Sequence, residues 1–144
     1  MEWHRDDFAI SDDRSRVDID VVSNLLARSY WRHRRSREVV EKLIQNSLCF
    51  SLFRNDEQIG FGRVVTDFTV FSWLSDLVIT EAYRGMGLGK WLITCIVNHP
   101  GIAETQFVLQ TGSAYGLYDK FEFRLSEKLM TREPYGAKNR EIDS

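Results

Sequence analysis

Arg84-Gly85-Met86-Gly87-Leu88-Gly89-Lys90 is the stretch of this chain best suited to chemistry. Three alternating glycines lie where a β-prone run, Leu77-Val78-Ile79, gives way to helical periodicity. Glycine removes the side chains that keep a ligand away from the backbone. The loop N–H groups can then reach an anion, and the N-terminus of the following helix adds about +0.5 of a charge. A phosphate or pyrophosphate is the natural guest. The P-loop pattern fails, because Trp91 follows Gly89-Lys90 and Arg84 stands where its first glycine belongs. The dinucleotide pattern G-x-G-x-x-G fails because Lys90 occupies its last glycine. The plain alternative is a tight strand-to-helix turn.

Other reactive side chains are dispersed. Cys49 and Cys95 sit in apolar stretches with no second Cys or His at ligand spacing, and read as buried free thiols. His4, His33 and His99 are scattered, so no metal is expected. Asp76 is a carboxylate inside a β-prone run. Strict alternation, unless a bulge intervenes, places it with Leu74 and Val78, opposite Phe71, Trp73, Leu77 and Ile79. There it suits either a general base or a structural ion pair with Arg63 on the preceding strand. The run Tyr30-Trp31-Arg32-His33-Arg34-Arg35, with Arg37, reads either as an edge for an anionic or aromatic ligand or as a solvated loop.

These residues need a scaffold. The chain has 144 residues, 43% hydrophobic and 28% charged, which excludes disorder and suits one domain with a real core. A net charge of −2 argues against nucleic acid as a partner. No apolar run reaches the ~18–20 residues of a membrane span, and Met1–Asp7 is too polar for a signal peptide. A soluble, cytoplasmic protein is expected, with monomer and homodimer both open.

Asp18 caps a helix carrying Val21, Val22, Leu25, Leu26 and Tyr30, and Ser36 caps a second with Val39, Val40, Leu43 and Ile44 inward. Leu48–Phe53 and Ile59–Thr66 form a hairpin, and a long β run spans Thr69–Thr80. The helix after the glycines presents Leu88, Trp91, Leu92, Cys95 and Ile96, and stops at Asn98-His99-Pro100-Gly101. A short strand, Phe107–Leu109, a helix, Ser113–Lys120, and a final strand, Phe123–Met130, precede a frayed tail from about Glu133. With a leading strand the order is β, α, α, β, β, β, α, β, α, β. The crossover from Leu77 to Leu109 makes two strands parallel, so the class is α/β or α+β with a mixed sheet.

Arg84-Gly85-Met86-Gly87-Leu88-Gly89 resembles the R/Q-x-x-G-x-G/A signature of the GNAT superfamily of acetyl-CoA-dependent N-acetyltransferases. Ala114-Tyr115-Gly116-Leu117-Tyr118-Asp119-Lys120-Phe121-Glu122-Phe123 is similar to that family's A-x-x-L-Y-x-K-x-G-F. The resemblance covers roughly residues 48–130, with two departures. Glu122 replaces the motif glycine, and Ser113 or Thr111 stands where many members have an Asn on the pantetheine arm. The fold implied is a single GNAT-like domain over residues 1–144. Its mixed, mostly antiparallel central sheet is flanked by helices, with a parallel splay between the Leu77–Ile79 strand and Phe107–Leu109, the family's fourth and fifth strands.

The resemblance also implies a reaction. Acetyl-CoA is the cosubstrate and no metal takes part. Backbone N–H groups of Met86 to Lys90, with Gly85, Gly87, Leu88 and Gly89 in the same loop, hold the pyrophosphate, and Arg84 and Lys90 add charge. The pantetheine arm pairs with Leu77, Val78 and Ile79 and meets Ser113, and an N–H near Val78 or Ile79 polarises the thioester carbonyl. The acetyl group passes to a primary amine, small-molecule or peptide, by direct attack in a ternary complex. Asp76 is the candidate base. Tyr118, which periodicity alone would place in a core, is the candidate proton donor to the departing thiolate. The acceptor enters near the Tyr30–Arg37 run, where Phe71 and Trp73 either line its pocket or belong to the core. The competing reading is a non-catalytic CoA-binding or sensing module, which needs the loop but neither Asp76 nor Tyr118.

Overall fold

Six strands pair in chain order to make one open sheet: β1 (Glu2–Arg5), β2 (Phe8–Ser11), β3 (Leu48–Arg54), β4 (Glu57–Thr66), β5 (Phe71–Ile79) and β6 (Gln106–Val108). Neighbours are antiparallel except β5 and β6, which are parallel. The α-helices among the described residues are α1 (Ile19–Ser29), α2 (Arg37–Gln45) and α3 (Leu88–Val97) in the same unit as the sheet, and α4 (Tyr115–Asp119). The computed structural model describes residues 1–29 and 35–134, and falls into two units, Met1–Thr111 and Gly112–Ser144. The expected tail beyond residue 134 lies outside the described residues. No helix among the described residues is long and apolar enough to cross a membrane.

In the first unit, local chemistry sets the ends of elements. The Asp18 carboxylate accepts the Val21 N–H at 3.2 Å, and Ser36 Oγ accepts that of Val39 at 3.2 Å, so both expected caps form. Asn55, at φ +53°, turns β3 into β4 within two residues, a conformation Asn tolerates better than most side chains. Two strands rather than one precede α1, joined at Asp6, which is also left-handed at φ +52°. Gln58 ties α1 to the sheet: its Oε1 accepts the Asp18 N–H at 2.7 Å while its Nε2 donates to Gly60 O at 3.0 Å.

Opposed residues of an antiparallel pair share a face, so the register assigns the two sides of the sheet. Phe61 and Val78 are opposed, and both belong to the core formed with Val22, Leu25 and Leu26 of α1 and Val40 and Ile44 of α2. Val39 is instead 42% exposed, since α2 meets the sheet through the Val40–Ile44 stripe alone. Gly62 and Leu77, also opposed, face α3: a Cβ on Gly62 would lie 2.9 Å from Ile96 Cδ1.

The alternation expected for β5 does not survive its length. Arg63 opposes Asp76 but Val64 opposes Leu74, leaving Ser75 as the extra residue of a β-bulge. Arg63 and Val64 are adjacent and face opposite ways, so Leu74 and Asp76 do too. Asp76 keeps Val78 as a neighbour on the α1–α2 side. Leu74 lies on the α3 side with Leu77, and Trp73, opposed to Val65, shares the side of Asp76. One inserted residue has reversed the faces on either side of it.

In the second unit, α4 ends in a left-handed turn. Glu122 N–H donates to Asp119 O at 3.1 Å and Phe123 N–H to Tyr118 O at 3.3 Å, with Glu122 at φ +69°. The expected strand over residues 123–130 is absent. Leu125 and Met130 are 83% and 93% exposed, so no buried face rewards extension, and Ser126 Oγ bends the chain by accepting the Lys128 N–H at 3.2 Å. A left-handed conformation costs a side chain about 1–2 kcal/mol relative to glycine. Glu122→Gly should therefore raise stability by about 1 kcal/mol, read as a higher denaturant midpoint; an unchanged or lower midpoint would remove the strain from this turn.

Candidate active site

The open edge of β5 is the first component of the site. β6 pairs only with its first residues, Phe71, Ser72 and Trp73, whereas β4 follows it from Ser72 through Ile79. The bulge at Ser75 comes two residues after the last parallel pair, Trp73 with Val108. Bulges bend a strand and increase its twist, which accounts for the separation at this point. Thr80 N–H donates to Ile59 O at 2.8 Å, so the amides two residues apart along β5 turn toward β4 and those between turn away. Leu77 and Ile79 therefore present N–H and C=O groups on the side β6 has left. The Val78 N–H, one of two expected at a thioester carbonyl, faces β4 instead.

The glycine loop is the second component. It leaves β5 through a short 3-10 turn, Glu81–Tyr83. The Arg84 side chain reaches back, its Nε donating to Ile79 O at 3.2 Å. Gly85 and Gly87 have φ of +80° and +79°, and a Cβ on either would meet nothing within 4 Å, so the loop is open to solvent where the glycines lie. Gly87 is the N-cap of α3, with no side-chain cap and no acidic residue in the first turn. The first turn itself thus supplies no cap or acid to this helix end, whose N–H groups and partial positive charge suit an anion. Met86 is 55% exposed, Leu88 is buried beneath the turn, and Gly89 and Lys90 form the first helical turn.

An unforeseen clamp holds the entry to the loop. The Tyr83 ring lies edge-on to Phe8 of β2 at 6.2 Å, and the Arg54 guanidinium sits 5.7 Å from its centroid and donates to its hydroxyl at 3.2 Å. These partners are about 30 and 75 residues away along the chain, so no local pattern could have revealed them.

Asp76 is the third component. It is 1% exposed and its Oδ2 accepts Arg63 Nε at 2.7 Å. Arg63, 6% exposed, also donates to Ser47 Oγ at 3.0 Å and Ser75 Oγ at 2.7 Å. Arg35, just before α2, donates from Nη1 to both Asp76 oxygens at 3.2 and 3.3 Å. Of the basic-aromatic run, residues 30–34 lie outside the described residues. Arg37 pairs with Asp20 and Glu41. Beyond the bulge, Val65, Phe71 and Trp73 are 43%, 37% and 36% exposed, so neither aromatic is core.

Tyr118 and Ser113 belong to the second unit, while Thr111 ends the first. Tyr118 is half-buried on α4, edge-on to Phe123 at 5.8 Å, and burial pushes its phenol above the usual value, keeping it protonated. Both cysteines are free and buried, and burial pushes each thiol up to about 11, so neither is a ready nucleophile. Among the described residues no three His, Cys, Asp or Glu side chains gather as a metal site.

This arrangement has relatives. The family model for the acetyltransferase (GNAT) domain matches residues 45–125. A candidate GNAT-family acetyltransferase from Xanthomonas campestris pv. campestris, known from a crystal structure, is 30% identical. Its TM-score is 0.83, covering 90% of this chain and 95% of that one. A Gibberella zeae protein, a candidate acetyltransferase, is 24% identical over 113 residues, which span 65% of this chain and only 64% of that protein. A GNAT-family acetyltransferase from Elizabethkingia anophelis, solved with acetyl-CoA bound, shares the fold at 18% identity with a TM-score of 0.66, over 85% of this chain and 80% of that one. The chain belongs to the GNAT acetyltransferase family.

The glycines of the loop differ in what they contribute to folding. Gly87→Ala should cost about 1–2 kcal/mol through its positive φ. Gly89, whose Cβ would make an ordinary 3.5 Å contact with Ile79, should gain up to about 1 kcal/mol as Ala within a helix. Urea midpoints moving in opposite directions would bear this out, and a shared direction would refute it.

Proposed function

We propose that this protein binds acetyl-CoA along the glycine loop and the open edge of β5, and transfers the acetyl group to a primary amine by direct attack in a ternary complex. One observation carries the reading: a helix N-terminus without a side-chain cap, with two positive-φ glycines, follows a strand edge that no strand among the described residues pairs. The first suits a pyrophosphate and the second an amide-bearing arm. The acetyl-CoA bound to the Elizabethkingia anophelis relative supports the same cosubstrate.

The loop N–H groups of Met86 to Lys90 bind the pyrophosphate, with Arg84 and Lys90 nearby as cations. Leu77 and Ile79 offer the arm its hydrogen bonds, and the Ile79 N–H is the donor best placed to stabilise a thioester oxyanion. Ser113 is a further contact for the arm by resemblance. The amine attacks as the free base and loses its proton as the C–N bond forms. Asp76 accepts from two guanidinium groups, so its contacts favour the ion pair over the base, and water is the simpler proton acceptor. The thiolate leaves as the C–S bond breaks. Full proton transfer from a phenol of pKa near 10 to a thiolate near 8.5 is uphill by about 2 kcal/mol. Burial raises the Tyr118 phenol further, so its contribution is a hydrogen bond to the thiolate.

On the acceptor side, the exposed Val65, Phe71 and Trp73 share the sheet face of Asp76 and offer an apolar surface for the body of a small amine or an amino-terminal peptide. Calorimetric titration with acetyl-CoA, CoA, ATP and NAD should show binding of the CoA species alone, lost in Gly87→Val with folding checked by thermal melt. No binding of acetyl-CoA to the wild type would sink the reading. Tyr118→Phe should lower turnover by about 10²-fold while acetyl-CoA still binds, and an unchanged rate would remove Tyr118 from the mechanism. Binding without turnover on any amine would leave a CoA-binding module.

A further inference from the structure

The Arg63 guanidinium is almost wholly buried, yet two of its three hydrogen bonds go to the two residues at the β5 bulge: Nη2 to Ser75 Oγ at 2.7 Å and Nε to Asp76 Oδ2 at 2.7 Å. The third, from Nη1 to Ser47 Oγ at 3.0 Å, anchors the fork beside the start of β3. A bulge without such support is a local defect that a shift of register by one residue would erase. Erasing it would return Leu74 and Asp76 to one face. A slip taken up by residues 76–79 would also change which amides of Leu77, Val78 and Ile79 look away from β4.

We infer that Arg63 and Asp76 are positioning residues for the cofactor: their buried ion pair locks the bulge, and the locked bulge holds the Leu77 and Ile79 amides outward along the open edge. The inference rests on the acetyl-CoA reading above. It gives Asp76 a task that requires no proton transfer, and it uses the planar fork at position 63, whose three nitrogens each donate to a different side chain, Asp76, Ser47 and Ser75. The half-exposed Arg35, donating to the same carboxylate, ties the segment before α2 to the bulge.

The test compares Asp76→Ala, Asp76→Asn and the double variant Arg63→Met/Asp76→Leu, each with a thermal melt and calorimetry using acetyl-CoA. Removing one partner leaves a buried charge and threatens folding, whereas removing both does not. The double variant is therefore expected to fold and to bind acetyl-CoA about tenfold more weakly, the equivalent of one or two backbone hydrogen bonds. Asp76→Asn, which retains an oxygen for Arg63, should recover most of the affinity lost in Asp76→Ala. A folded double variant that binds acetyl-CoA like the wild type would overturn the inference, as would equal affinities for Asp76→Ala and wild type, the result expected of a base. If the wild type itself binds no acetyl-CoA, the cosubstrate reading fails separately. The lock is then read from hydrogen exchange of ligand-free protein: faster exchange over residues 74–78 in the double variant supports it, and unchanged exchange overturns it.

Discussion

Two opposite charges placed beneath α1 and α2 cannot be hydrated, and each would be costly without the other. The Arg63–Asp76 pair meets that demand, with Ser47 and Ser75 each accepting from one of the terminal guanidinium nitrogens. Its location has consequences on both sides. Toward the helices it lies next to the apolar core that seats α1 and α2 on β4 and β5. Along the sheet it coincides with the bulge that ends the parallel pairing with β6, so the buried pair and the open strand edge occur in the same few residues.

The loop after β5 shows a second constraint, this one in the backbone. Gly85 and Gly87 both adopt left-handed dihedrals, and that geometry brings the chain into α3 with no side-chain cap at its N-terminus. The turn after α4 has nearly the same φ at Glu122, where the related motif carries glycine. The contrast is informative. In the glycine loop a side chain would project into the space a ligand needs, whereas at Glu122 the hydrogen bonds to Tyr118 and Asp119 hold the turn despite its side chain. The motif's geometry can thus persist after its characteristic residue has been replaced.

In the proposed site, cofactor recognition falls mainly on main-chain groups. Side chains then determine the shape of that main chain: Tyr83 held by Phe8 and Arg54 at the entry to the loop, Arg84 folded back on Ile79, and Arg63 at the bulge. The buried polar positions among these carry the larger penalty on substitution, since an unsatisfied group costs more than a lost contact.

Much of this was legible from local chemistry. The caps at Asp18 and Ser36, the β3–β4 hairpin, the strand–loop–helix with its three glycines and the parallel crossover all follow from short-range periodicity, capping and turn propensity. Those effects act within a few residues, so a linear sequence displays them. Phe123 to Met130 misled because apolar residues mark a strand only when they are buried on one face, and Leu125, Leu129 and Met130 are exposed. The bulge at Ser75, the contacts of Asp76 with Arg63 and Arg35, and the exposure of Phe71 and Trp73 were decided by tertiary structure. Each depends on which distant residue stands opposite, and cross-strand register is a property of the assembled sheet.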